Sequence, residues 1–380
     1  MSPTPVTYTN PGDPIAYSWE ATNEEVAERY GVPIESIVRF DLNTSPAPPE
    51  LVARLIALGR FDVPMSEYPP ADYRRLIAAA AARYGVDTSE LIVGAGADEI
   101  LDIITKAFLP FGGAAVVPTP TYAMYRVDTE QRGATVLAVP RLREAGWTLD
   151  LDATRDAARK ADIVWLCSPN NPTAIPEPDG AIAGLLVGIL ADAVADGRTA
   201  PIVVIDEAYA EFTGRSLIGL RAEYPNLIVI RTASKAYALA GLRVGFAIAH
   251  PSLIARMNPY RPPGSISVIS VTLVTEALLD DTILEANLHR VATERDRLAN
   301  ALRAIGWSVG PSVTNFILVD FGSAERAEAV AEGLLRHGLV PRTFPDGHPL
   351  ADHLRLTIRS TDENDRFIAA ATAIAAETDA

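Results

Sequence analysis

The sequence predicts an α/β fold, in which a large domain with a mainly parallel sheet covered by helices precedes a smaller α+β C-terminal domain. Two observations predict it. From residue 91 onward, short apolar runs alternate with helical patterns, and runs this apolar are typical of parallel strands buried on both faces. After residue 280, long helical runs are followed by TNFILVDF, a helix, LVPRTF and HLRLTI, which indicates a second, smaller unit.

Seven predicted strands form the large sheet: LIV at 91, AAVV at 114, TVLAV at 135, DIVWL at 162, PIVVI at 201, LIVI at 227 and RVGFAIA at 243. Residues 1–40 are rich in proline, threonine and asparagine and predict an arm that packs with the small domain. The predicted boundaries are therefore 1–40 for this arm, 41–280 for the large domain and 281–380 for the small domain.

The composition excludes several functional classes. A chain of 380 residues, 48% hydrophobic and 21% charged, is long enough for two ordinary globular domains. A formal charge of −15 argues against a nucleic-acid partner. The most apolar window, AIAGLLVGILADAVA, is too short to span a membrane, and the N-terminus lacks signal-peptide features. We therefore expect a cytoplasmic protein without a membrane partner.

Cysteine and histidine usage predicts neither a disulfide nor a metal site. The single cysteine, Cys167, lies inside the apolar run ADIVWLC, so we expect a buried, unreactive thiol. The five histidines are scattered and show no HExxH or Cys/His spacing. We expect no metal ion.

One of the three lysines stands where a reactive amine makes chemical sense. Lys106 and Lys160 lie in amphipathic helical runs and predict solvated positions. Lys235 instead follows the strand-like run LIVI, among small and hydroxyl residues, and precedes Arg243 by eight positions. A Ser-Lys pair in a loop is common, so a catalytic role depends on the residues that accompany it.

Because sites in parallel sheets form at the carboxyl ends of strands, the residues after each run are candidates. After LIV, Ala97 and Asp98 open a helix whose N–H groups could hold a phosphate. Glu99 replaces the third glycine of a dinucleotide fingerprint, and on this segment alone a capped turn without ligand is the preferred interpretation. Tyr122, after the second run, either stacks on a flat ring or simply packs.

Two further strand ends carry polar groups. SPNNPT follows DIVWL, and its asparagines either donate to a fixed oxygen or form a structural turn. Asp206 follows PIVVI, where a carboxylate is costly without a cationic partner or a metal. With Lys235, the set suits a phosphate, a flat ring, a phenolic oxygen, a basic ring nitrogen and an aldehyde. Pyridoxal 5′-phosphate has all five, so we expect it as the cofactor.

The ordered motifs resemble the pyridoxal-phosphate aminotransferases of fold type I, the aspartate aminotransferase fold, and most closely the histidinol-phosphate aminotransferase branch. The resemblance runs from about Asn43 to near the C-terminus. The motifs are YP at 68, GAGADE at 94, PTPTY at 118, SPNNPT at 168, DEAY at 206, SKAYALAGLRVG at 234, TNF at 314 and LRLTI at 354.

The resemblance implies roles for the residues around the cofactor ring. Lys235 matches the lysine that bonds to the cofactor aldehyde and later shuttles a proton, and Asp206 matches the carboxylate that keeps the pyridine nitrogen protonated. Asn171 and Tyr209 match the pair that binds the phenolic oxygen, and Tyr122 matches the stacking aromatic. Lys235, Asp206 and Tyr209 are the implied catalytic residues.

The implied phosphate-binding residues are Gly96, Ala97, Asp98, Ser234 and Arg243. Arginine suits this role because its planar fork binds phosphate through two hydrogen bonds. Tyr68 matches a tyrosine that reaches the phosphate from the neighbouring subunit, so the resemblance implies a homodimer with shared active sites. Taken alone, Tyr68 would be interpreted as a packing aromatic.

Three residues of the predicted small domain match substrate-binding positions. Arg355 matches the arginine that binds the substrate carboxylate or phosphate, and Arg342 matches a second anion-binding arginine of the branch. Asn315 matches an asparagine that supports the same pocket. For either arginine, a solvated surface position is the common alternative.

The sequence departs from the family pattern at three places. The usual NENPYG is here NTSPAPPE, which removes an expected lid tyrosine, and RPPYN is here RPPGS at residues 261–265. NPTG is here NPTA, with Ala174 in place of glycine. The first two departures bear on the substrate, whereas the cofactor residues are intact.

The resemblance implies a transaminase that converts histidinol phosphate and 2-oxoglutarate to imidazole-acetol phosphate and L-glutamate, a step of histidine biosynthesis. The altered lid residues leave an aromatic amino-acid aminotransferase or a phosphothreonine-type decarboxylase as alternatives. An oxidase or hydroxylase with the same cofactor is a further alternative. From another class, a non-catalytic binding protein on this fold remains, although a pure binder would not need an amine at position 235.

Overall fold

The computed structural model describes residues 17–46, 50–61 and 63–378. The first 16 residues of the predicted arm and residues 47–49 of the NTSPAPPE segment lie outside these ranges. The strands are β1 (Val38–Arg39), β2 (Leu91–Gly94), β3 (Ala114–Thr119), β4 (Thr135–Pro140), β5 (Ile163–Cys167), β6 (Ile202–Asp206), β7 (Leu227–Thr232), β8 (Gly245–Ala249), β9 (Ser308–Val309), β10 (Phe316–Asp320), β11 (Leu339–Val340) and β12 (His353–Thr357).

The α-helices connect and cover these strands. They are α1 (Asn23–Tyr30), α2 (Leu51–Ala57), α3 (Arg74–Tyr84), α4 (Gly96–Phe108), α5 (Met124–Gln131), α6 (Leu151–Ala158), α7 (Ala181–Ala195), α8 (Pro251–Met257), α9 (Val268–Leu278), α10 (Asp281–Ala304), α11 (Ala324–Arg336) and α12 (Thr361–Thr378). Short 3-10 helices lie at Ile34–Ser36, Thr88–Glu90, Arg143–Ala145, Ala210–Thr213, Ile218–Ala222, Ala240–Leu242 and Asn258–Tyr260.

The central sheet has seven strands in the order β2-β8-β7-β6-β5-β3-β4. Five of these strands pair in parallel, namely β7, β6, β5, β3 and β4. Strand β8 pairs antiparallel with both β7 and β2. The chain returns from β7 to β8 through residues 233–244 without a crossover helix, so β8 has to reverse. The seven predicted strands are all present, and the prediction of a mainly parallel sheet is confirmed.

Helices cover both faces of this sheet because its strands are apolar on both sides. In β5, Val164 and Leu166 pack in one apolar cluster with residues of α3, α7 and α9. Ile163 and Trp165 point to the other side and pack with residues of α4, α5 and α8. This alternation is the two-residue period of a strand, and it explains why the sequence shows continuous apolar runs.

A second, smaller set of strands has its own apolar core. β10 pairs antiparallel with β12 and β9, and β1 pairs in parallel with β11. Phe40, next to β1, packs with Trp307, Leu334 and Phe367 in this core. The chain just before residue 41 is thus joined to the C-terminal strands and helices. Within the described ranges, no helix combines the length and apolar character that a membrane crossing needs.

Candidate active site

A cavity of about 530 Å³ lies where β5, β6 and β7 end, between the central sheet and the smaller sheet. The position agrees with the rule that sites in parallel sheets form at the carboxyl ends of strands. The predicted site residues that line it are Ala97, Asp98, Tyr122, Asn171, Asp206, Tyr209, Ser234, Lys235, Arg243 and Arg355.

Lys235 enters the cavity from the loop after β7. Its Nζ lies 3.3 Å from the Asn43 carbonyl oxygen and 3.5 Å from that of Leu42. Asn43 adopts a left-handed backbone with φ 53°, which asparagine tolerates better than most residues, and this turn brings its carbonyl to the amine. Burial lowers the pKa of Lys235 to about 8, and the positive charge of Arg355 adds to the effect. A fraction of the amine is therefore neutral near pH 7.

Asp206 is the last residue of β6 and is buried. It accepts hydrogen bonds from the Tyr125 hydroxyl at 2.8 Å and from the Ala208 amide at 2.9 Å. Burial raises the pKa of Asp206 to about 6, while these two hydrogen bonds act in the opposite direction. None of the ion pairs among the described residues includes Asp206. A buried carboxylate of this kind suits a protonated nitrogen of a bound molecule.

Tyr209 and Asn171 lie on the wall nearest the smaller sheet. The Asn43 side-chain amide donates to the Tyr209 hydroxyl at 3.0 Å, and burial raises the pKa of Tyr209. Arg355, in β12, donates to Asn171 Oδ1 at 2.6 Å and to the Asp41 carbonyl oxygen. Its guanidinium also lies 5.3 Å from the centre of the Phe316 ring. Arg355 is thus held in place with its charge at the cavity.

The opposite corner is formed by the N-terminus of α4 and the start of β8. Arg243 Nη2 donates to Asp98 Oδ2 at 2.9 Å, and the Tyr122 hydroxyl donates to Asp98 Oδ1 at 2.9 Å. Unpaired N–H groups at a helix N-terminus, next to an arginine, are a common arrangement for binding phosphate.

Two glycines allow this corner to close. A Cβ on Gly245 would lie 2.4 Å from the Gly96 carbonyl carbon and 2.5 Å from the Ala97 nitrogen. A Cβ on Gly96 would lie 2.4 Å from Arg243 Nη2, and Gly96 has a φ of +84° that side chains disfavour. Gly96 therefore does not line the cavity but permits the close approach of α4, β8 and Arg243.

Four predicted site residues lie away from the cavity wall. Gly96 is one, and Asn315 is another: its Nδ2 donates to the Asn43 carbonyl oxygen at 3.0 Å, which supports the backbone beside Lys235. Tyr68 is 92% exposed and lies outside the cavity of its own chain, so its predicted role in a neighbouring subunit stays a prediction. Arg342 does not line the cavity either, because its guanidinium lies 5.5 Å from the centre of the Tyr17 ring and donates to the Ser18 carbonyl oxygen at 2.8 Å.

Sequence reasoning missed a group of cavity residues. They are Tyr17 and Trp19 from the N-terminal segment and Asp41, Leu42, Asn43, Thr44 and Met124. Tyr125 was missed as well, although it lies three residues after Tyr122 and the two ring centres are 5.7 Å apart. The aromatic pair in YSWE was the available signal for the N-terminal contribution, but only the folded chain brings it to the cavity.

Two negative expectations can be compared with the described residues. Cys167 is buried at the cavity edge, and burial raises the pKa of its thiol to about 12, which agrees with an unreactive group. Asp320, Asp352 and His353 have ligand atoms within 4.8 Å of one another. Arg143 Nη2 lies 2.5 Å from Asp352 and 3.8 Å from Asp320, so a positive side chain already faces both carboxylates and we assign no metal ion there.

Comparisons with known proteins point to one family. The family described as aminotransferase class I and II matches residues 61–371. A histidinol-phosphate aminotransferase of Roseiflexus castenholzii is 35% identical over 355 residues, which are 91% of each chain. One from a Thermoanaerobacter species is 38% identical over 292 residues, 76% of this chain and 78% of the relative.

A solved structure agrees with the sequence relatives. The crystal structure of histidinol-phosphate aminotransferase from Sinorhizobium meliloti, in complex with pyridoxal 5′-phosphate, superposes with a TM-score of 0.83 at 25% identity. The match covers 95% of this chain and 96% of that one. The arrangement of strands and helices described above is thus similar to that of a solved enzyme.

Proposed function

The chain belongs to the class I and II aminotransferases, and from this premise we propose that it transfers an amino group between histidinol phosphate and 2-oxoglutarate with pyridoxal 5′-phosphate as cofactor. The products would be imidazole-acetol phosphate and L-glutamate. The observation that carries the proposal is that Lys235, Asp206, Arg243 and Arg355 all line one cavity, in a chain whose relatives are named histidinol-phosphate aminotransferases.

The residues of the cavity fit this cofactor. Asp206 is a buried acid with two neutral donors, so it can accept the proton-bearing ring nitrogen as its cationic partner. The α4 N-terminus, Ser234 and Arg243 offer donors for the phosphate. Lys235 lines the same cavity with an amine whose pKa is lowered to about 8, as nucleophilic attack on an aldehyde requires. Tyr209 and Asn171 are the proposed partners of the phenolic oxygen.

The protein groups supply proton transfer and charge placement. When bound, the cofactor ring accepts the electron pair left behind as the substrate loses its Cα proton. Lys235 Nζ is the proposed base that takes this proton from the substrate carbon and delivers it to the cofactor within the same half-reaction. Asp206 keeps the ring nitrogen protonated, which makes the ring a better electron acceptor. Tyr122 is the proposed aromatic against the ring.

Arg355 is the proposed binding group for the substrate anion. Two hydrogen bonds, to Asn171 and to the Asp41 carbonyl, hold its guanidinium, so the charge is already oriented before a substrate arrives. Asn315 is proposed to support this wall from behind, through its bond to the Asn43 carbonyl. Arg342 lies beside Arg355 in the adjacent chain segment and is the proposed second arginine of the anion-binding region.

The quaternary and domain organisation is part of the proposal. The exposure of Tyr68 supports a homodimer in which this ring completes the neighbouring subunit's phosphate site. The separate apolar core around Phe40, Trp307 and Phe367 supports a division into an arm at 1–40, a large domain at 41–280 and a small domain at 281–380. A cytoplasmic enzyme of amino-acid biosynthesis is the cellular setting that we propose.

A second candidate function is aromatic amino-acid transamination. Tyr17 and Trp19 both line the cavity, with ring centres 4.8 Å apart, and Tyr17 lies 6.4 Å from Tyr122. This aromatic wall suits a flat side chain, whether imidazole or benzene. The missing lid tyrosine and the RPPGS segment allow either substrate.

The test is a spectroscopic half-reaction. Purified holoenzyme would be mixed in turn with histidinol phosphate, glutamate, phenylalanine and phosphothreonine, and the cofactor absorbance followed. We expect bleaching with histidinol phosphate and glutamate. Bleaching with phenylalanine and not with histidinol phosphate would select the second candidate. Release of carbon dioxide from phosphothreonine would select a decarboxylase instead.

A further inference from the structure

Two arginines lie side by side on neighbouring chain segments, and one of them, Arg355, lines the cavity. Arg342 and Arg355 exchange both backbone hydrogen bonds, each at 3.0 Å, in an antiparallel bridge. Residues paired in this way project their side chains to the same face. Burial lowers the pKa of Arg355, and the charge of Arg342 adds to this lowering, so the two guanidinium groups interact. Two adjacent positive charges would favour a doubly charged anion.

Glu20 changes this charge balance. Its Oε1 lies 3.6 Å from Arg342 Nη1, and both side chains are largely buried, with 16% and 15% of their surface exposed. Glu20 also accepts hydrogen bonds from the Thr343 amide at 2.8 Å and the Thr343 hydroxyl at 2.9 Å. These contacts fix the carboxylate against Arg342, so the pair contributes little net charge.

The other charges near this wall do not replace Glu20 in that role. Asp41 is bound by the guanidinium of Arg39, which donates to Asp41 Oδ1 at 2.8 Å and to Oδ2 at 2.5 Å. Asp98 is bound by Arg243 at the opposite corner. Glu20 is thus the carboxylate that compensates Arg342, and Arg355 is left as the uncompensated guanidinium of this wall.

We infer that Glu20 is a specificity-determining residue, which neutralises Arg342 and thereby lowers the preference of the cavity for doubly charged phosphate esters over singly charged carboxylates. The inference deepens the proposed function and rests on it, because it takes Arg355 as the group that binds the substrate anion. Glu20 would act through Arg342 and would not touch the reacting atoms.

The test compares anion binding by wild-type holoenzyme and the Glu20→Gln variant. Glutamine keeps the acceptor for both Thr343 donors and removes only the charge. The probes are 3-phenylpropionate, a monoanion, and glycerol 3-phosphate, a dianion at pH 8, with dissociation constants from calorimetry. Coulomb energy is proportional to the charge of the ligand. We therefore expect Glu20→Gln to lower the dissociation constant of the monoanion about 3-fold and that of the dianion about 10-fold.

Matched variants separate this effect from general changes of charge or fold. Glu28→Gln removes an exposed carboxylate from the same N-terminal segment, and we expect no change in either constant. Adding Arg342→Gln to Glu20→Gln should abolish the gain, because the unmasked charge is then absent. The inference would be overturned if Glu20→Gln increased the affinity for both anions equally, if it increased neither affinity, or if Glu28→Gln gave the same increase. Failure of the proposed function would appear separately, as absence of a wild-type half-reaction with histidinol phosphate.

Discussion

The Tyr125 hydroxyl donates a 2.8 Å hydrogen bond to Asp206 Oδ2, and both residues are buried. The ring of Tyr125 stacks on Trp165 with centres 5.6 Å apart, so the donor cannot turn away without disturbing the core. This donor is one of two that favour the ionised form of Asp206.

Tyr125→Phe should therefore raise the pKa of Asp206 above its present value of about 6. An acid with a higher pKa is more protonated at pH 7 and holds the ring nitrogen proton less well. We expect the glutamate half-reaction to slow about 5- to 10-fold at pH 7 and to recover as the pH rises to 8. Stopped-flow spectra across this pH range measure the rate of the half-reaction. A uniform loss at every pH would contradict the explanation.

Lys235→Ala should abolish the covalent link to the cofactor and reduce the half-reaction by about 10⁴-fold or more. Borohydride reduction followed by peptide mass mapping should label the Lys235 peptide in wild type and no peptide in the variant. Lys160→Ala, at an exposed position, is the control and should behave as wild type. Unchanged labelling in Lys235→Ala would remove the basis of the catalytic proposal.

The lowered pKa of Lys235 predicts how the apoenzyme takes up its cofactor. Only the neutral amine attacks the aldehyde, and below pH 8 its fraction falls about tenfold per pH unit. The rate of absorbance change after addition of pyridoxal phosphate should thus rise with pH and level off above about 8. A rate that continues to rise up to pH 10 would mean an ordinary lysine.

Arg355→Lys should raise the KM for anionic substrates about 10- to 100-fold, with a smaller effect on kcat. A lysine cannot bind Asn171 and the Asp41 carbonyl together while it presents charge to the cavity. Steady-state kinetics with glutamate would measure the effect. A change confined to kcat would argue that Arg355 serves the reacting atoms rather than the anion.

Gly245→Ala should weaken both the fold and phosphate binding. The new Cβ would meet the backbone of Gly96 and Ala97 at 2.4–2.6 Å, and backbone cannot move aside cheaply. We expect a loss of about 2–3 kcal/mol in the free energy of unfolding and weaker cofactor binding. Gly184→Ala, in α7 with nothing within 4 Å of the new Cβ, should stabilise by up to about 1 kcal/mol. Thermal melts with and without cofactor compare the two.

The fold was predictable because its signals are local. Each strand of the central sheet is a short apolar run, and the sheet needs no information beyond the spacing of such runs and helices. The reversal of β8 was not predicted, because its sequence is as apolar as that of its parallel neighbours. Its predicted start at Arg243 was two residues early, since Arg243 adopts a φ of 50° that no strand allows.

The site was predictable only where one strand end supplied a chemical group. Asp206 directly follows the run PIVVI, and Lys235 lies five positions after the end of the run LIVI, so their place at the sheet edge follows from the sequence. Tyr17 and Trp19 come from a segment far away in the chain, and their contact with the cavity depends on the packing of two sheets. The engagement of Arg342 by Glu20, which is 322 positions away, depends on the same packing. No spacing rule predicts contacts over such a separation.

The reversal of β8 has a consequence for how this chain can be re-engineered. Because β7 and β8 are antiparallel neighbours, the twelve-residue connection at 233–244 begins and ends at the same edge of the sheet. This connection contains both Lys235 and Arg243. New termini or an inserted domain at this connection would separate the two groups. The helical crossovers between parallel strands pass over the outer faces, so their surface turns are the better places to open the chain or graft a reporter onto it.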